Sequence, residues 1–218
     1  MAIPVLIIGK SGSGKSASLR NFRDEDISII NVEGKPLPFR NAFKDVIHTD
    51  SYRAIAETMK KSKKKVIVID DAGYLITNSF MREHSAAGAG NSVFALYNSL
   101  ADNFWRLIEY IKKLPPDRIV YDIMHEDKSD SGDIKPKTIG KLLDEKVCIE
   151  GMFTIVLRSV KKDGQYLFAT STDGMDVTKT PIGMFDDEII ENDLKKVDDT
   201  IRSYYGMTDA KGKAEEDK

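Results

Sequence analysis

A three-layer α/β domain with a mostly parallel central sheet is the architecture this sequence predicts, on three observations. Short unbroken apolar runs recur along the chain, each the length of a strand buried on both faces. Stretches with helical periodicity or helix-start signals lie between them. Late in the chain, two β-rich runs flank Lys-Lys-Asp-Gly, a hairpin signal that adds an antiparallel edge.

Residues 3–8 are apolar and end in glycine, and a helix is expected from Lys15 to Asn21. Residues 27–32 form a second β-branched run, and 46–49 a short third strand. Ser51 is a suitable N-cap for a helix reaching about residue 61. Residues 66–69 read as a buried strand ending in Asp70 and Asp71. The small, glycine-rich stretch 85–92 reads as a mobile loop. After it, Val93, Tyr97, Leu100, Phe104, Leu107, Ile108, Ile111 and Leu114 recur at helical spacing until Pro115 and Pro116 stop the helix. Residues 119–124 form the next strand, and 127–141 a polar loop. The hairpin runs are 153–160 and 166–170, and an acidic helix is expected from 185 to about 205. One domain over 1–208 and a charged, disordered tail over 209–218 complete the expectation.

Composition narrows the function classes. With 41% apolar residues the chain can build a substantial core, and a formal net charge of −2 marks no global affinity for nucleic acid. The single cysteine, Cys148, cannot form an internal disulfide or a cysteine-based metal site, which fits a reducing cytoplasm. The apolar N-terminus lacks a basic leader and runs into a glycine loop, so it reads as a strand and not a signal peptide. No apolar run has the length of a membrane span.

The strongest local signal is Gly9-Lys10-Ser11-Gly12-Ser13-Gly14-Lys15-Ser16, which fits G-x-x-x-x-G-K-[ST] between a buried strand and a helix start. The glycines let backbone N–H groups turn inward around phosphate, and the helix opening near Lys15 and Ala17 aims its positive end at the same place. Lys15 is then expected on the β- and γ-phosphates of ATP, and the Ser16 hydroxyl on Mg²⁺. Asp70 arrives at the C-terminal end of a buried strand, where open α/β sheets bind ligands, and is the expected partner of Mg²⁺. Two carboxylates are candidates to position the attacking water: Asp71, directly after the Mg²⁺ aspartate, and Glu33, just past the second apolar strand.

These stretches together resemble the RecA-like P-loop ATPases, most closely a phage-encoded branch of ATP-binding proteins and single-strand-annealing recombinases. The resemblance rests on GKSGSGKS at 9–16, INVEGKPLPF at 30–39 and VIVIDDAGYL at 66–75. It continues in KPKTIGKLLD at 135–144 and FATSTDGMDVTKTPIGMF at 168–185. It implies a three-layer P-loop NTPase fold of RecA-like type, with Glu33 as catalytic base and His125 as γ-phosphate sensor. It implies ATP sites shared between subunits of a homo-oligomer, with Lys179, or failing that Arg158, reaching in as a finger. The implied partners are single-stranded DNA, held by the lysine-bearing loop after His125, and a single-strand-binding protein, in a host cytoplasm. The loop carries Lys128, Lys135, Lys137 and Lys141, diluted by Asp127, Asp130, Asp133 and Asp144. The chain lacks a polymerisation segment ahead of its first strand, which argues against long filaments. A nucleotide kinase and a non-catalytic nucleotide-gated adaptor are the competing classes; the kinase needs an arginine-bearing lid that this sequence does not show.

Overall fold

The structure is a computed structural model and describes residues 1–88, 90–129, 131–139 and 142–207. Nine strands are found among these residues: β1 (Ile3–Gly9), β2 (Ile27–Asn31), β3 (Val46–His48), β4 (Val66–Asp70), β5 (Ile119–Lys128), β6 (Ile134–Pro136), β7 (Ile155–Lys162), β8 (Gln165–Ala169) and β9 (Ile189–Glu191). The helices are α1 (Tyr52–Lys61), α2 (Tyr74–Ala87), α3 (Asn91–Lys112) and α4 (Leu194–Tyr204). The sheet runs β3-β2-β4-β5-β1-β7-β8-β9, with β6 paired to the end of β5. Pairing is parallel from β3 through β7 and antiparallel from β7 to β9, as a mostly parallel P-loop NTPase sheet requires.

The unbroken apolar runs are explained by burial on both sides. Leu6, Ile8, Ile30, Ile67, Ile69, Val120 and Met124 face one core with Ile55 and Met59 of α1, Leu75 and Ile76 of α2, and the apolar stripe of α3. Their alternates Val5, Ile7, Ile29, Val68, Tyr121 and Ile123 face a second core with Leu19, Phe22 and Leu194, Val197 and Ile201 of α4. Side chains of a strand alternate between faces, so each strand feeds both cores.

Local chemistry sets the boundaries. Ser51 caps α1 by accepting from the Ala54 amide at 3.4 Å. Asp193 caps α4 by accepting from the amides of Lys195 and Lys196 at 3.0 and 3.3 Å. Asp163 and Gly164 both sit at positive φ (51° and 79°), the two-residue turn whose twist matches a hairpin, and Lys162 pairs with Gln165 across it.

Four expectations are corrected. The segment after the phosphate loop, Ser16–Asn21, is a 3₁₀ turn and not an α-helix; Phe22 closes it by turning into the second core. Ser85 to Ala87 continue α2, so the glycine-rich loop shrinks to the α2–α3 junction, of which Ala89 lies outside the described residues. The polar stretch 127–141 begins as a hairpin, with Asp127 opposite Lys135 and Lys128 opposite Ile134; Asp130 and Lys141 lie outside the described residues. Helix α4 starts at Leu194 and not at 185, because Ile189–Glu191 pairs with β8 as a further edge strand. The tail 209–218 lies outside the described residues.

Candidate nucleotide site

The sheet register assembles the site. At the C-terminal edge Asn31 stands opposite Asp70, and Gly9 stands between His125 and Ser159. A cleft of about 380 Å³ opens there, walled by Ser11, Gly12, Gly14, Lys15, Ser16 and Ala17 on one side. Asn31, Lys35, Pro36, Pro38, Asp70, Asp71, His125 and Tyr166 form the rest.

The phosphate loop is packed so closely that two glycines have no substitute. A Cβ on Gly9 would lie 2.6 Å from Ser13 Oγ and 2.7 Å from the Ser159 carbonyl. On Gly14, at φ 103°, it would lie 2.8 Å from the Tyr166 ring. Lys10 and Ser11 are exposed on the outer turn, and the Ser13 amide donates to the Lys10 carbonyl at 3.2 Å. Lys15 is buried and donates to the carbonyls of Gly9 and Lys10, both at 2.8 Å. Burial lowers its pKa, against the pull of Asp71 and Asp70. The ammonium is thus held over its own loop, within the wall of a cleft that would receive phosphate.

Ser16 donates to Asp70 Oδ1 at 2.9 Å. Burial, with the neighbouring charge of Asp71, raises the Asp70 carboxyl to about 6, so a cation there would relieve an unfavourable charge. A hydroxyl and a carboxylate touching at the end of a phosphate loop are the donors Mg²⁺ takes when phosphates and water fill its remaining positions, so these residues fit that ion. Among the described residues no cluster of three or more acidic, histidine or cysteine side chains competes as a metal site. Held by Ser16 and Asp70, Mg²⁺ would supply charge neutralisation to the phosphates.

Asp71 adopts a left-handed backbone (φ 61°), unusual for a residue with a Cβ. The conformation turns its carboxylate into the cleft, where Lys35 Nζ reaches it at 2.7 Å and His125 Nε2 at 3.5 Å. Burial pushes this carboxyl up, but the hydrogen bonds from His125 and Lys35 together outweigh it and hold it at about 2. Lys35 is raised in turn, first by that hydrogen bond, and lies 5.3 Å over the Tyr74 ring. His125 meets Tyr74 edge to face.

Glu33 is not in the cleft wall. It lies on the turn between the cleft residues Asn31 and Lys35, and its carboxylate accepts from Asn78 of α2 at 3.1 Å, an amide shared with Asp50. Lys179 is exposed and is not among the residues lining the cleft; its backbone pairs with Val156 of β7. Arg158 is held by Glu126 at 2.9 and 3.1 Å and by Asp176 at 3.3 Å, an arrangement of paired charges that ties β5, β7 and the loop after β8 together.

Several wall residues escape sequence reasoning. Asn31 is buried and donates to the Lys35 carbonyl at 2.6 Å, fixing the turn that delivers Lys35 to Asp71; its signal was a polar residue closing an apolar run. Lys35, Pro36 and Pro38 lie inside the stretch 30–39 but carry no motif chemistry of their own. Tyr166 comes from the far hairpin, and nothing local marks it.

No helix of the described residues is long and apolar enough to cross a membrane. A search of curated proteins finds no match to this chain. A protein-family model described as an AAA domain matches residues 1–182. That stretch contains every residue lining the cleft, and the chain belongs to this AAA-domain family of nucleotide-binding P-loop ATPases.

Proposed function

We propose that the protein is a Mg²⁺-dependent ATPase of RecA-like organisation that acts on single-stranded DNA, with sites completed by neighbouring copies. The observation that carries the DNA reading is a second cavity, of about 530 Å³, that shares Ser11, Lys35 and His125 with the nucleotide cleft. Its other walls include Tyr74 and Thr77 of α2 and Lys137 beyond the β5–β6 hairpin. A cation on each side and an aromatic face suit a phosphate-bearing strand with stacked bases. Through Lys35, which touches both Asp71 and this cavity, a ligand in one chamber is felt in the other. Among the described residues no arginine lines the nucleotide cleft, which disfavours the kinase.

Glu33 serves as base in this reading. The basicity of Asp71 is suppressed by the hydrogen bonds it accepts from His125 and Lys35, so it orients water, whereas Glu33 sits on the same turn as Lys35 and carries no such pair of donors from the cleft. Glu33→Gln is expected to keep ATP binding and lose turnover by about 10²–10⁴-fold, the scale of general base catalysis. Asp71→Asn should be the milder change; the reverse ranking in single-turnover hydrolysis makes Asp71 the base. Lys179, exposed on the surface, is the finger offered to a neighbour.

DNA and ATP are expected to tighten one another by the same factor, since coupling between two sites is reciprocal. Titrating labelled single strands at several salt concentrations, with and without ATP, measures it. Substituting Lys135 and Lys137 by alanine should weaken DNA binding and flatten its salt dependence while ATP binding without DNA is retained. An ATPase indifferent to DNA, with no strand bound at low salt, rejects this reading.

A further inference from the structure

The phosphate loop is braced from behind by a part of the chain outside the matched domain. Asn192 follows β9, ten residues beyond the end of the match, and is fully buried. Its Nδ2 donates to Ser159 Oγ at 3.3 Å, and Ser159 Oγ donates to the Ser13 carbonyl at 2.8 Å. Asn192 Oδ1 is buried without a partner and lies 3.2 Å from where a Gly14 Cβ would stand. The same turn grips the 3₁₀ segment that follows the loop: Arg20 donates to the Asn192 carbonyl at 2.6 Å, and Asn21 to Asp193 at 2.7 Å.

We infer that Asn192 is a positioning residue for nucleotide binding, acting through Ser159 on the peptide that joins Ser13 to Gly14. In a trans peptide the carbonyl and the following N–H point in opposite directions. Drawing the Ser13 carbonyl back to Ser159 therefore turns the Gly14 N–H away from Ser159, towards the cleft that Gly14 lines. An amide held in that direction contributes to the anion cradle without reorganising when phosphate arrives. The relay has one polarity. Ser159 has a single proton, which goes to Ser13, so its partner at 192 must donate, and asparagine does. A buried acceptor left unpaired is costly, so Asn192 stands at a position chosen for something other than stability.

Two substitutions break the relay differently. Ser159→Ala removes the hydroxyl. Asn192→Asp is nearly isosteric but offers an acceptor, which would take the Ser159 proton and release the Ser13 carbonyl. Calorimetric titration of each full-length variant with ATP and with ADP should show Kd raised at least about tenfold for both nucleotides. In steady-state hydrolysis the loss should fall on KM more than on kcat, because ground state and transition state lose the same amide. A merely structural role would lower Tm and the fraction of active protein but leave Kd and KM in place. If both variants bind ATP and ADP within about twofold of the wild type, the inference is overturned. If Asn192→Asp does not fold, Ser159→Ala decides alone. The test uses no DNA, so its outcome is separate from that of the DNA reading.

Discussion

Lys15→Ala is expected to abolish ATP hydrolysis, lowering turnover by at least about 10²–10³-fold, the loss seen when one preorganised charge-stabilising donor is removed. Lys15 is the ammonium buried in the phosphate loop, and its two hydrogen bonds run to carbonyls of that same loop. It therefore stands ready to exchange them for phosphate oxygens, and bears on both binding and the charge that develops during transfer. Triphosphate binding should weaken with it, more than diphosphate binding. The fold should survive, because the hydrogen bonds of the Lys15 ammonium run to carbonyls of its own loop and tie no distant segment of the chain. Phosphate release assays and nucleotide titrations on the same preparation separate these effects. Undiminished turnover in a folded Lys15→Ala protein would sink the assignment of the phosphate loop.

The second large effect concerns stability. Asp122 lies in the middle of β5, opposite Leu6 of β1 and Ile69 of β4, on the face shared with Val120 and Met124. Both of its carboxyl oxygens are buried without a partner, and burial pushes its pKa up to about 8. An ionised carboxylate there is strongly disfavoured, so the folded protein holds the proton that the unfolded chain releases near pH 4. The folded pKa is the higher one. The stabilising contribution is therefore complete below about pH 4 and is lost as pH rises to about 8. At 1.36 kcal/mol per unit the swing is about 5 kcal/mol. Asp122→Asn removes the titration and keeps the shape. The gap in unfolding free energy between Asp122→Asn and wild type should widen in favour of the variant from pH 5 to pH 9. A gap constant over that range contradicts the neutral buried carboxyl.

The parts of the site that sequence revealed are those in which neighbouring residues act together. The phosphate loop is one continuous turn whose glycines, lysine and serine follow one another at fixed spacing, so spacing alone exposes it. Asp70 was legible because a buried strand delivers it to the binding edge of the sheet, where Ser16 donates to it at 2.9 Å. The hairpin at Asp163-Gly164 was legible because its turn requires two residues that tolerate positive φ.

What escaped notice depends on chain segments far apart. Strand β9 is three residues long and pairs only at an edge, too short for a periodic signal, so an acidic helix was expected in its place. The 3₁₀ turn after the phosphate loop mixes helix formers (Ala17, Leu19, Arg20) with Ser16, Ser18 and Asn21, and Phe22, buried in the second core, leaves it in an extended conformation.

The amino-acid sequence by itself determined the sheet-and-helix class, the phosphate loop and the aspartate that a buried strand delivers beside it, because these follow from local periodicity and backbone chemistry. Only the tertiary structure decided that Lys35 and His125 converge on Asp71, that Glu33 stands behind the cleft wall, and that Asn192 reaches Ser13 through Ser159. Those contacts join residues from 33 to 146 positions apart in the chain, and sheet register, which no local pattern encodes, brings them within hydrogen-bond distance.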